Sequence, residues 1–239
     1  MSSLHSTVKA MVFDTFGSVV DWRGSIVRDL TKWGNENGFQ ADWTVFAEQW
    51  RSMYQPSMEA CRSGKREFTV LDVLHRESLD VLIDQYGLSK MTEAQREHVN
   101  KVWHRLDGWP DSVGGLARLK SKYIIAPLSN GNISLLTDIA KYTGLPWDLN
   151  LSTEVFRCYK PQPESYLGVC HALRLDPSEV MMCAAHNNDL LAAKNCGLKT
   201  AFWPRPTEYG PTQTDNLVAT EAWDVVAKDI RDLATQMGV

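Results

Sequence analysis

The chain has 239 residues, an ordinary globular composition and a formal net charge of −4, which is length enough for one large core or for a core with a smaller inserted domain. No run of Lys or Arg forms a stripe, which argues against nucleic acid and membrane as partners. No stretch approaches the roughly 18 consecutive apolar residues of a membrane span, and the first residues lack a basic segment followed by an apolar one, so a cytoplasmic protein is expected.

The first element is a short apolar run, Met11-Val12-Phe13, that reads as a buried strand and stops at Asp14. Gly17 follows, where the backbone can turn sharply beside that carboxylate. Asp14 is either a turn cap or a site residue on this stretch alone. Ile26, Leu30 and Trp33 then share one helical face, closed by Gly34 and Gly38. A second helix opens near Asp42 with Phe46, Trp50 and Met53 on its apolar face and Arg51 beside them, and the pattern loosens from Pro56 to Gly64. A third runs from Phe68 through Leu71, Leu74 and Leu82 to Tyr86-Gly87. Thr92-x-x-Gln95 reads as a capping box opening a fourth toward Trp103. No strand signal interrupts this stretch. Residues 21–104 therefore read as a helical cap domain inserted after the first strand, with 1–20 and 105–239 as the core domain.

Alternation of strands and helices resumes beyond Gly108. A helix with Val113, Leu116 and Leu119 precedes an apolar strand over Tyr123–Leu128, which ends at Ser129-Asn130-Gly131. A helix through Leu135 and Ile139 runs to Gly144, a short strand is expected within Leu149–Val155, and Pro163 suits the first turn of a helix reaching Leu173. Val180–Ala185 is another buried strand ending at His186-Asn187-Asn188-Asp189. A helix to Gly197, a strand over Thr200–Trp203 and a loop over Pro204–Thr214 follow. The fold class is α/β, a Rossmann-like parallel-sheet core flanked by helices. Parallel strands gather their ends on one edge, so Asp14, Ser129-Asn130 and the His186–Asp189 segment should converge.

Five cysteines without a Cys-x-x-Cys pair suggest neither a disulfide framework nor a zinc site. Asp14-x-x-Gly17-Ser18, Ser129-Asn130-Gly131, Lys160-Pro161 and Asp189 stand in the order of the four motifs of the haloacid dehalogenase superfamily, which the chain resembles over its whole length. With Trp50-Arg51 and Lys160-Pro-x-x-x-x-Tyr166 it is most similar to the L-2-haloacid dehalogenases. Phosphatases of the superfamily carry a second Asp two positions after the nucleophile; Phe16 stands there, and the fourth motif is poor in the oxygen ligands that magnesium needs. No metal and no other cofactor is expected.

The resemblance implies that Asp14 attacks the halogen-bearing carbon of a 2-haloacid, that water hydrolyses the resulting ester, and that a 2-hydroxy acid of inverted configuration leaves. It implies catalytic roles for Lys160, which keeps Asp14 ionised, and for Asp189 and Arg51. Substrate contacts fall to Thr15, Phe16, Ser18, Arg51, Ser129, Asn130 and Tyr166, and halide contacts to Arg51, Asn130 and Phe68. His186 departs from the family, which has Asn at that position. It is read as a water-positioning or halide-interacting group, with Asn187 as a helper, or else as a structural partner of Asp189. The partners implied are a small haloacid, water and a second copy of the chain, paired through the cap as a homodimer. Two other readings remain open: a magnesium-dependent phosphatase or phosphonatase of the same superfamily, and a non-catalytic binding protein that keeps the fold.

Overall fold

In the computed structural model, which describes residues 4–239, helix α1 (Leu4–Thr7) leads into strand β1 (Ala10–Phe13), all of whose residues are buried. The run is apolar throughout because both of its faces are covered. Met11 and Phe13 point into one hydrophobic cluster and Ala10 and Val12 into another, the alternation a strand imposes. After the turn at Gly17, strand β2 (Val20–Asp21) hands over to α2 (Trp22–Asn37), whose N-terminus is capped by the Asp21 carboxylate. Gly38, at φ 74°, ends that helix. Gly34 lies inside the helix instead of ending it, and a side chain there would meet the Trp43 ring at 2.8 Å.

Helix α3 (Trp43–Ser52) is capped by Asp42, and α4 (Tyr54–Arg62) follows it almost directly. The sequence pattern, which loosens from Pro56 to Gly64, gives no helix over 54–62. Pro56 stands in the first turn, where a backbone N–H has no intrahelical partner to lose. Helix α5 (Leu71–Gln85) starts three residues later than expected, and the Thr92–Gln95 capping box opens α6 (Glu93–Asn100) as expected. A 3-10 turn over Lys101–His104 then returns the chain to strand β3 (Asp107–Gly108), which pairs antiparallel with β2. This two-stranded ribbon, too short for any periodicity to reveal, ties together the start and end of the helical segment.

The remaining elements alternate: α7 (Ser112–Lys120), β4 (Ile124–Pro127), α8 (Ile133–Thr143), α9 (Pro163–Leu173), β5 (Val180–Ala184), α10 (Asn187–Asn195), β6 (Lys199–Phe202), β7 (Val225–Val226) and α11 (Ile230–Gln236). The five-stranded sheet has the order β4-β1-β5-β6-β7 and is parallel throughout. The strand expected within 149–155 is absent. Ser152 there accepts from the Glu154 N–H and starts a 3-10 turn over Thr153–Phe156. Phe13 lies opposite Pro127 on one side and Cys183 on the other, so the residues just past β4, β1 and β5 emerge side by side. No helix among the described residues is long and apolar enough to cross a membrane.

Candidate active site

The site grows from the C-terminal end of β1. There the Asp14 carboxylate, buried to 8% exposure, is held by three donors. Lys160 Nζ donates to Oδ1 at 3.0 Å, Ser18 Oγ donates to Oδ2 at 2.6 Å, and His186 Nδ1 donates to Oδ2 at 3.0 Å. Burial alone would raise the pKa of this carboxyl. The Lys160 charge, His186 and Ser18 outweigh it and hold Asp14 well below the usual carboxylate range. Asp14 is an anion at any working pH.

Lys160 also donates to Asp189 Oδ2 at 2.5 Å, and Tyr166 Oη donates to Asp189 Oδ1 at 2.6 Å. Burial works against the ammonium, but Asp14 and Asp189 together raise its pKa. The backbone N–H of Lys160 donates to Asn130 Oδ1 at 2.9 Å, which fixes the orientation of that amide.

His186 has a second carboxylate behind it. As an imidazolium it donates from Nε2 to Glu208, at 2.8 Å to Oε2 and 3.0 Å to Oε1. Glu208 itself is 1% exposed and also accepts from Trp22 Nε1. Burial disfavours the charged ring, yet Glu208 and Asp14 reverse this and raise the His186 pKa well above its ordinary value. His186 is thus a cation between two carboxylates, and it bonds Asp14 and Glu208 rather than Asp189. The sequence carried no signal for Glu208, which lies in the loop over 204–214. Gly17 marks its place: at φ +83° a Cβ would sit 2.0 Å from Glu208 Oε1, so the room this glycine leaves is filled by protein.

Asp14, Phe16, Arg51, Asn130, Lys160, Tyr166, His186 and Asp189 all line one cavity of about 1050 Å³. Arg51 enters it from α3. Its guanidinium lies 4.2 Å from the centroid of the Tyr54 ring and 5.4 Å from that of Trp22, and Tyr209 lines the same cavity. One of its terminal nitrogens, Nη1, is buried with no partner among the described residues. A buried cationic donor without an acceptor is costly unless an anion completes it.

Several expected residues lie away from the cavity. Phe68 does not line it; its ring packs on Tyr159 with centroids 5.0 Å apart, and Tyr54 of α4 stands at the cavity wall. Thr15 and Ser129 are buried behind the wall, Ser129 Oγ accepting from the Gly131 N–H and Thr15 Oγ1 having no partner among the described residues. Ser18 reaches the site through Asp14 and, besides donating to it, accepts from the Ala185 N–H. Asn187 lines the rim, but its amide is taken up by Asn216, Val218, Thr220 and Trp223, leaving nothing to hold a water beside His186.

A family model of haloacid dehalogenase-like hydrolases matches residues 8–197. The chain is similar, at 48% identity and a TM-score of 0.95, to the crystal structure of a defluorinating L-2-haloacid dehalogenase, with 97% of this chain and 96% of that one covered. A second L-2-haloacid dehalogenase structure matches at 45% identity and a TM-score of 0.94, covering 96% of this chain and 98% of its own. The (S)-2-haloacid dehalogenase 4A of Burkholderia cepacia is 28% identical over 236 residues, 95% of this chain and 99% of that protein. With a family model spanning the first strand to the end of α10, and close relatives that share the fold from end to end, the chain belongs to the haloacid dehalogenase-like hydrolases.

Proposed function

We propose that the protein is an (S)-2-haloacid dehalogenase that hydrolyses the carbon–halogen bond of haloacetates and short 2-haloalkanoic acids. The observation that carries this reading is an ionised Asp14 sharing one cavity with the unpartnered Arg51 donor, a nucleophile and an anion receptor in the same enclosure. The names of the relatives support it. In the first step an Asp14 oxygen attacks the halogen-bearing carbon from behind. A carbon–oxygen bond forms, the carbon–halogen bond breaks, and the halide leaves with the electron pair. No proton is needed for that departure, which suits the apolar Phe16 two positions beyond the nucleophile.

The second step follows from the His186 geometry. Ester formation removes the Asp14 charge and hydrogen bond, leaving Glu208 alone to favour the cation; the His186 pKa falls, and Nδ1 releases its proton into the cavity. The neutral ring, still donating from Nε2 to Glu208, takes a proton from water as that water attacks the ester carbonyl. His186 returns the proton to the departing hydroxy acid, and the regenerated Asp14 carboxyl hands its own proton back to the ring. Lys160 and Tyr166 hold Asp189, and Lys160 in turn holds Asp14 in place for both steps. The magnesium-dependent reading is disfavoured by the donor set, because the Lys160 ammonium already bridges the two carboxylates a cation would need.

Residues 21–104 are read as the cap domain and 1–20 with 105–239 as the core. The resemblance further supports a cytoplasmic homodimer, which sedimentation velocity would read directly as a mass. The test of the activity is halide release from racemic 2-chloropropionate in EDTA, with chiral analysis of the product. Consumption of one enantiomer with inversion to D-lactate, lost in Asp14→Asn, is the expected result. Magnesium-dependent cleavage of a phosphate ester with no halide release would overturn the proposal.

A further inference from the structure

Phe68, the aromatic expected at the halide, lies outside the cavity, which leaves a place for a further group to receive the anion beside Arg51 and Asn130. We propose that Tyr54 is that group: its hydroxyl donates to the departing halide and fits the site to a compact, hydrogen-bond-accepting leaving group, the fluoride of fluoroacetate. The inference rests on the dehalogenase reading and deepens it.

Three observations carry it. Tyr54 lines the same cavity as Asp14 but comes from the first turn of α4, in the inserted helices, next to the Arg51 guanidinium stacked on its ring at 4.2 Å. A displacement from behind requires the leaving group to depart on the side away from Asp14, and the inserted helices supply these two donors there. Second, Asn130, which lines the cavity with Tyr54, accepts the Lys160 N–H on its Oδ1, so the group it has left to offer is its Nδ2 donor. That donor complements the phenol oxygen, and the phenol's own proton is free to turn into the cavity. Third, burial raises the Tyr54 pKa, so the hydroxyl keeps that proton across the neutral range. The Arg51 charge over the ring makes the hydroxyl a stronger donor.

Fluoride concentrates its charge on a small surface and leaves a strong bond, so its departure depends on close, hard donors. Chloride is diffuse and departs more readily, so the same hydroxyl contributes less to it. The variant is Tyr54→Phe, which keeps the ring beneath Arg51 and removes only the hydroxyl. The measurement is kcat/KM for fluoroacetate and for chloroacetate by halide release, with competitive inhibition by fluoride and by chloride as a second readout.

The expected result is a fall in the fluoroacetate-to-chloroacetate ratio of about 10- to 100-fold, the rate equivalent of one hydrogen bond to a charged group. Fluoride inhibition should weaken more than chloride inhibition. An unchanged ratio, whether both rates fall together or neither does, would overturn the assignment, since a merely structural role for the ring and hydroxyl has no reason to distinguish halides. A native protein that releases chloride but no fluoride overturns it too, with the dehalogenase reading intact. Release of neither halide sinks that reading and this one with it.

Discussion

The chemistry of the site turns on single residues whose neighbours change what they can do. His186 shows this most clearly. An imidazole between Asp14 and Glu208 has its pKa raised well above the ordinary value, and in the proposed reaction it acts as a base once its first neighbour is esterified. The alkylation and hydrolysis steps therefore separate on substitution. His186→Asn should release about one halide per active site and then stall, with ester hydrolysis slowed by a factor on the order of 10²–10⁴. Intact-protein mass spectrometry should find the ester on Asp14. Glu208→Gln should stall less completely, because the ring keeps a hydrogen-bond partner but loses the charge behind it. Steady turnover at the native rate in His186→Asn would refute the assignment of the base.

At the scale of elements, two histidines are packed into the helical stretch over 21–104, and they titrate in opposite directions. His104, in the 3-10 turn at the end of the helical segment, bonds Asp72 of α5 at 2.9 Å and Asp138 of α8 at 2.7 Å. Asp72 is tied in turn to Asn132 at the start of α8. Burial opposes the charge on His104, but the two carboxylates prevail and raise its pKa. Its folded-state proton is held more tightly than in the unfolded chain. The stability it gives is therefore complete below its unfolded pKa of about 6.5 and is lost as pH rises through the raised value. His75, stacked on Trp103 at 4.3 Å with neither ring nitrogen bonded, is the reverse. Burial pushes its pKa down to about 3, so stability is lost as pH falls from about 6.5 toward that value. Thermal midpoints measured from pH 4 to 9 should show both flanks. His104→Asn should flatten the alkaline flank and His75→Phe the acid flank.

At the scale of the whole molecule, a buried ion pair joins segments far apart in sequence. Arg205 forms two hydrogen bonds to Asp111, at 2.8 and 2.9 Å, and its Nε donates to the Ser18 carbonyl at 3.0 Å. Asp111 also accepts the first free N–H of α11. One pair thus fixes the turn after β1, the start of α7, the loop that carries Glu208 and the last helix. Arg205→Ala would leave a buried carboxylate unpaired and should cost about 3–5 kcal/mol in urea unfolding. Turnover should fall as well, because the segments bearing Ser18 and Glu208 lose their common anchor.

The amino-acid sequence by itself determined the alternation of strands and helices and which strands end at polar residues. Each strand is an apolar run that stops at a polar residue, and a parallel sheet brings such ends together whatever its details. Asp14 and Asp189 were legible for that reason, and Lys160, which follows no strand, only through the family motifs. Helix α4 was not legible, since Pro56 breaks a helix by rule and is harmless in its first turn. Tyr54, in that helix, was not legible at the cavity either. Glu208 could not be read at all, lying in a loop with no periodicity and reaching His186 across the sheet edge from a position 22 residues away. Only the tertiary structure decides such pairings, because which charges share a buried enclosure depends on packing between distant segments, and that packing sets the protonation of His186 and the open donor on Arg51.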